Sequence, residues 1–185
     1  MTFYNDWMYI DNIGEKETNN LLNYVNNFTK KLKPIDLNEK STRGINSKQY
    51  ELFGLIKNKD RQISIVKEKI KFHLNKFVHK ELNLELLSAW TVLGQKDSYH
   101  TLHKHNEYNT KHIATVLYLE TPPYSKDDFG NFYFLFRHGS EIIKHSHKPR
   151  KGDLIIFPVW IWHGAYPQQE GLRQTLNLDF KIVDI

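Results

Sequence analysis

Apolar residues recur at helical spacing twice in the first half of the chain and switch to short runs in the second half. In "GEKETNNLLNYVNNFTKKLK", Leu21, Leu22, Val25, Phe28 and Leu32 share one face, and Pro34 closes the segment, which predicts an amphipathic helix. Residues 36–59 are mixed in polarity and carry Ser41, Gly44 and Ser47, so they read as loop with at most a turn of helix. "DRQISIVKEKIKFHLNKFVHKEL" restores the pattern through Ile63, Val66, Ile70, Leu74 and Phe77, with Asp60 at the expected N-cap. From Leu86 the period changes. "LLSAWTVLG", "KHIATVLYLE", "GNFYFLFR", "DLIIFP" and "LRQTLNLDFKIV" are short, rich in β-branched and aromatic residues, and separated by Gly, Pro, Asp and Asn. Helices followed by strands predict a mainly β, α+β domain whose helices cover one face of an antiparallel sandwich or barrel.

Length and composition narrow this picture. A chain of 185 residues is expected to form one domain, with 1–85 as mainly helical support and 86–185 as the β core. With 39% hydrophobic and 25% charged residues it reads as an ordinary globular protein, and no apolar run approaches membrane-spanning length. The N-terminus lacks a secretory pattern, so a cytoplasmic location is expected. The net charge of +5 is spread among acidic and amide residues rather than gathered in a stripe, which argues against nucleic acid as a partner. The absence of cysteine removes disulfides, thiolate metal sites and cysteine nucleophiles, so any metal must be held by His or carboxylate.

Three of the ten histidines fall in "HTLHKHNEY". On an extended segment His103 and His105 point to the same side, and His163 in "FPVWIWHGAYP" is the best third ligand. Spacing alone leaves open a solvated polar loop, since "KHSH" supplies a second H-x-H at His145 and His147. Downstream, Arg173 and Thr175 share one face of an expected strand. An inward Arg is costly unless it meets an anion, and its planar fork suits a carboxylate. The plainer alternative is an Arg paired with a buried Asp or Glu, and Asp179 is on the same strand.

The order "SYHTLHKH", "ATVLYLETP", "GNFYF", "KGDLIIFPVWIWHGAYP" and "LRQTLNLDF" resembles the 2-oxoglutarate- and Fe(II)-dependent oxygenases, with the small phage-type members nearest and the prolyl 4-hydroxylases more distant. The resemblance runs from about Trp90 to Phe180. It implies a double-stranded β-helix, a jelly-roll barrel buttressed by N-terminal helices. It also implies a dioxygenase that couples O2 and 2-oxoglutarate to hydroxylation of a C–H bond, with a peptidyl proline as the leading substrate.

Carried across by position, His103, His105 and His163 match the metal ligands for Fe(II). Arg173, Thr175 and Tyr118 match the group that binds the distal carboxylate of 2-oxoglutarate. The chain departs from the common pattern at the middle ligand, where His105 stands in place of Asp, and Glu107 is the contender to replace it. Trp90, Trp160 and Trp162 read as packing and rim, His100 and His112 as loop positions, His145 and His147 as surface loop, His73 and His79 as structural. "TPPYSKDDFG" reads as a lid or recognition loop, and Gly152 with Asp153 as the turn before the strand that leads to His163. The alternative from another class is a non-catalytic, cupin-like barrel that binds a small ligand around a structural metal.

Overall fold

In a computed structural model the described residues are 8–36, 46–75, 82–105, 111–123, 127–138 and 140–184. His79 and Glu107 lie outside them, as do residues 124–126 of the expected lid.

The chain begins with strand β1 (Tyr9–Asn12), helix α1 (Glu15–Thr29), strands β2 (Ile35–Asp36) and β3 (Ser47–Glu51), and helix α2 (Arg61–Leu74). Eight strands follow: β4 (Leu82–Gly94), β5 (His100–His103), β6 (His112–Glu120), β7 (Phe132–His138), β8 (Glu141–His147), β9 (Asp153–Pro158), β10 (Trp162–Ala165) and β11 (Arg173–Asp184). They form a seven-stranded sheet in the order β1-β9-β6-β11-β4-β3-β2 and a four-stranded sheet in the order β5-β10-β7-β8. All pairings between these strands are antiparallel. This is the two-sheet barrel expected from the run of short strands.

The large sheet is covered on both sides, so β6 and β9 are apolar at nearly every position. Ile113, Leu117 and Leu119 of β6 and Leu154 and Ile156 of β9 join the first core with Leu21 and Val25 of α1 and Ile63, Val66 and Ile70 of α2. Their alternates Ala114, Val116, Tyr118, Ile155 and Phe157 join a second core with Phe132 and Phe134 of β7. Each fully buried aliphatic side chain contributes about 1.5–3 kcal/mol, so the helices and the sheet depend on one another.

Three expectations change. Residues 47–51 form a sheet strand rather than loop; "SKQYE" lacks an apolar alternation because Ser47 and Gln49 are polar yet buried. Asp60 occupies the N-cap of α2 but its side chain makes no cap bond. Instead its carboxylate accepts the Lys57 N–H and the Tyr24 hydroxyl, tying α1 to α2. His145 and His147 are not loop residues but belong to β8, where His145 stacks on Phe134 and Phe136 and His147 meets Asp153.

Gly152 takes the left-handed conformation at φ 89°, and a Cβ there would stand 2.9 Å from Asn12 Oδ1 and Thr18 Oγ1. The turn is held by Asp153, whose carboxylate contacts His147 Nε2 at 2.9 Å and accepts bonds from the Arg150 N–H at 2.8 Å and Asn12 Nδ2 at 2.9 Å. Burial alone would push this carboxyl up, but the bonds from His147, Arg150 and Asn12 outweigh it and hold it below its ordinary value. A depressed carboxylate stabilises the fold above its unfolded pKa near 3.8, and that stability is lost as pH falls through the lower folded value. Asp153→Ala is therefore expected to cost about 2 kcal/mol at pH 7. The gap between variant and wild type should close as thermal melts are taken to progressively more acidic pH below about 4. A gap that persists unchanged in acid would contradict the assignment.

Candidate metal and co-substrate site

Between the sheets lies a cavity of about 400 Å³ whose walls include His100, His103, His105, Tyr118, His163, Arg173 and Thr175. The strand ladders explain the convergence. In the small sheet β10 pairs with β5 so that His163 stands opposite His103. In the large sheet β11 sends Leu176, Leu178 and Phe180 to the helix-side core and Arg173, Thr175, Asn177 and Asp179 to the cavity.

One ligand atom from each of His103, His105 and His163 lies within 4.8 Å of the others. The rings are steered from behind. Nδ1 of His103 donates to the Thr101 carbonyl at 2.8 Å and Nδ1 of His163 to the Ile161 carbonyl at 2.9 Å, which leaves Nε2 of each to face inward. Burial, reinforced by the neighbouring His103 and His105, holds the pKa of His163 well below its ordinary value, so this ring is neutral with its lone pair available. Three buried or half-buried imidazoles converging without a carboxylate among them form an inert cluster only at a cost in mutual repulsion when protonated. As a donor set they suit a divalent first-row ion such as Fe(II), with open positions left for other ligands. The residues present therefore fit the metal.

At the other end of the cavity Arg173 is 4% exposed, with Nη2 at 3.4 Å from Ser98 Oγ and 3.5 Å from the Ser98 carbonyl. Ser98 is itself braced by Gln168, whose Oε1 accepts the Ser98 hydroxyl at 3.0 Å and whose Nε2 donates to the carbonyls of Gly94 and Gly171. Thr175 Oγ1 accepts a bond from Asn177 Nδ2 at 3.2 Å, and Tyr118 stands opposite Thr175 across the β6–β11 ladder. A buried guanidinium beside two hydroxyl-bearing side chains makes an anion cradle suited to a carboxylate.

Sequence reasoning missed several neighbours. Trp90 is not only packing: it lines the cavity, its ring centroid 5.7 Å from that of His105. His100 opens β5 and also lines the cavity rather than a solvated loop, and His112 opens β6. Trp160 packs against the second core, and Trp162 is 44% exposed beneath the Lys104 ammonium, as a rim residue should be. Ser98 opens the "SYHTLHKH" stretch without being singled out there, and Gln168 belongs to no motif. Asp179 is drawn to Ser88 and His105.

A family model described as a 2OG-Fe(II) oxygenase matches residues 88–179, which contain the three histidines, the Arg173 cradle and Ser88 through Asp179 of the cavity wall. The chain belongs to the 2OG-Fe(II) oxygenases. As such this oxygenase uses Fe(II), with 2-oxoglutarate and O2 as co-substrates.

Solved structures share its fold at low identity. A Pseudomonas putida prolyl-4-hydroxylase superposes with a TM-score of 0.67 at 14% identity, covering 94% of this chain and 91% of the other. A viral collagen prolyl hydroxylase from Paramecium Bursaria Chlorella virus-1, in its 2OG complex, gives 0.64 at 17% identity, covering 96% and 97%. HygX from Streptomyces hygroscopicus, with nickel and 2-oxoglutarate bound, gives 0.61 at 14% identity, covering 94% and 82%. These likenesses establish the double-stranded β-helix. No curated protein sequence matches the oxygenase. Among its described residues no helix is long and apolar enough to cross a membrane.

Gly164 follows His163 where β5 and β10 approach closely. A Cβ there would stand 2.6 Å from Tyr133 Oη and 2.8 Å from the His100 carbonyl oxygen. Gly164→Ala is expected to cost about 1–3 kcal/mol and to spread β10 from β5, weakening metal binding by the His103–His163 pair. Thermal melts and Mn(II) calorimetry check this; wild-type values in both would mean that the strands part freely.

Proposed function

We propose that the oxygenase holds Fe(II) through His103, His105 and His163, grips the distal carboxylate of 2-oxoglutarate with Arg173, Thr175 and Tyr118, and hydroxylates a C–H bond of its prime substrate. The observation that carries this reading is the presence, in one cavity, of three converging imidazoles and a buried guanidinium. Bound Fe(II) supplies the reduction of O2 coupled to decarboxylation of 2-oxoglutarate, so that substrate C–H, O2 and 2-oxoglutarate become C–OH, succinate and CO2.

The protein's part is placement. The Thr101 and Ile161 carbonyls fix two ring orientations, and the Ser98–Gln168 brace holds Arg173 so that the co-substrate enters in one direction. Phe132 and Phe157, packed against His163, shield it from water. With 2-oxoglutarate at the Arg173 end, the prime substrate approaches along the wall that carries Glu51 and Trp90. A peptidyl proline is the leading candidate, because the flat indole of Trp90 suits a pyrrolidine ring and prolyl hydroxylases share the fold.

The test is succinate formation from 2-oxoglutarate after anaerobic Fe(II) loading and admission of air, followed by a screen of proline-containing peptides. Wild type should turn over slowly alone and faster with the right peptide, and His163→Ala should not turn over. Arg173→Ala should raise the KM for 2-oxoglutarate about 10–100-fold, the loss of one charge-assisted contact, with metal affinity retained. Loss of metal in Arg173→Ala, or succinate formation by His163→Ala equal to wild type, would refute these roles.

A further inference from the structure

The three imidazoles are not held alike. His103 and His163 rest on backbone carbonyls, whereas His105 Nδ1 lies 3.0 Å from the carboxylate Oδ2 of Asp179. The ring N–H is turned off that line, so the contact is a close approach at hydrogen-bond distance rather than a completed hydrogen bond. Asp179 stands opposite Ser88 in the β11–β4 ladder, and the Ser88 hydroxyl donates to the same Oδ2 at 2.9 Å. The side chain of Asp179 is 15% exposed, and its Oδ1 is buried with no hydrogen-bond partner among the described residues.

We infer, on the three-histidine reading above, that Asp179 is the positioning residue for His105 and supplies the negative charge that the missing Asp ligand would have brought. Two arguments converge. A carboxylate facing Nδ1 keeps the proton there, leaves Nε2 for the metal, and makes the imidazole a stronger donor than a carbonyl does. A buried carboxylate with one oxygen unsatisfied is costly in isolation, and a dication at the histidine cluster is the charge that offsets it. Asp179 is not itself one of the converging ligand groups, and Ser88 holds the oxygen that faces His105. The charge thus sits one imidazole ring away from the metal position, in a cavity wall where screening by water is weak.

The experiment titrates the full-length metal-free protein with Co(II) under nitrogen, read by calorimetry and by the visible bands of the bound ion. Wild type, Asp179→Asn, Ser88→Ala and His163→Ala are compared, with thermal melts as the control for folding. Asp179→Asn should bind Co(II) about 10–100-fold more weakly and, at saturation, show shifted bands while melting near wild type. Ser88→Ala should move both readouts the same way by less.

Wild-type affinity and bands in Asp179→Asn would overturn the inference, and so would a loss as complete as that in His163→Ala, which would make Asp179 a ligand. Should Asp179→Asn fail to fold, unchanged bands in Ser88→Ala would overturn it equally. If wild type binds no Co(II), or His163→Ala binds as well as wild type, the three-histidine reading itself fails and this inference falls with it.

Discussion

The register of β11 is the constraint on which the rest of the molecule depends. This strand pairs with β4 along all twelve of its residues and with β6 on its other side, in the middle of the large sheet. Because side chains alternate, that register places Leu176, Leu178 and Phe180 among the helix-side core residues and Arg173, Thr175, Asn177 and Asp179 along the cavity. A slip by one residue would bury a guanidinium and a carboxylate against Leu21 and Ile63 and turn leucines onto the histidines. Core and site are therefore fixed by the same hydrogen bonds, and neither can be shifted without the other.

The cavity has an electrical direction. Arg173 stands at one end of the polar face of β11 and Asp179 at the other, with Thr175 and Asn177 between them and linked by a hydrogen bond. On the proposed reading, an anionic co-substrate is drawn to the first end and a metal cation to the second, so one strand would orient both. His163, neutral because it is buried beside two other imidazoles, lies in the facing sheet. Closing the barrel therefore brings His103 and His163 of one sheet against the charged ladder of the other.

Much of this was legible in the chain. The 3.6-residue spacing in α1 and α2 and the apolar runs of β6 and β9 reflect faces buried against other apolar residues, the one relation that hydropathy reports directly. R-x-T was visible because period two puts that pair on one side of β11, and H-x-H because His105 lies just past the end of β5, two residues from His103. What escaped was polarity that points inward. Gln49 made β3 resemble loop, and β8, with Ile142 74% exposed, made an edge strand resemble surface. Ser98 and Gln168 are separated by seventy positions and meet only because the barrel closes, so no local pattern could announce them. The sequence offers Asp179 as a partner for Arg173, but strand geometry carries it to the far end of the same face, beside His105.

Strand β1 lies outside the segment that identifies the family, yet it pairs with β9 from Tyr9 to Asn12, and Ile13 continues the contact through its N–H to the Gly152 carbonyl. A chain cut back to residues 88–179 would keep the three histidines, Tyr118, Arg173 and Thr175 and lose this cover. It would then present the backbone of Leu154 to Ile156, an unbroken apolar run, as an open sheet edge beside a core stripped of α1 and α2. Such an edge invites a second copy to add its own strand. The segment that makes the protein recognisable is thus one that would aggregate by itself, and the residues before it act as its solubility tag.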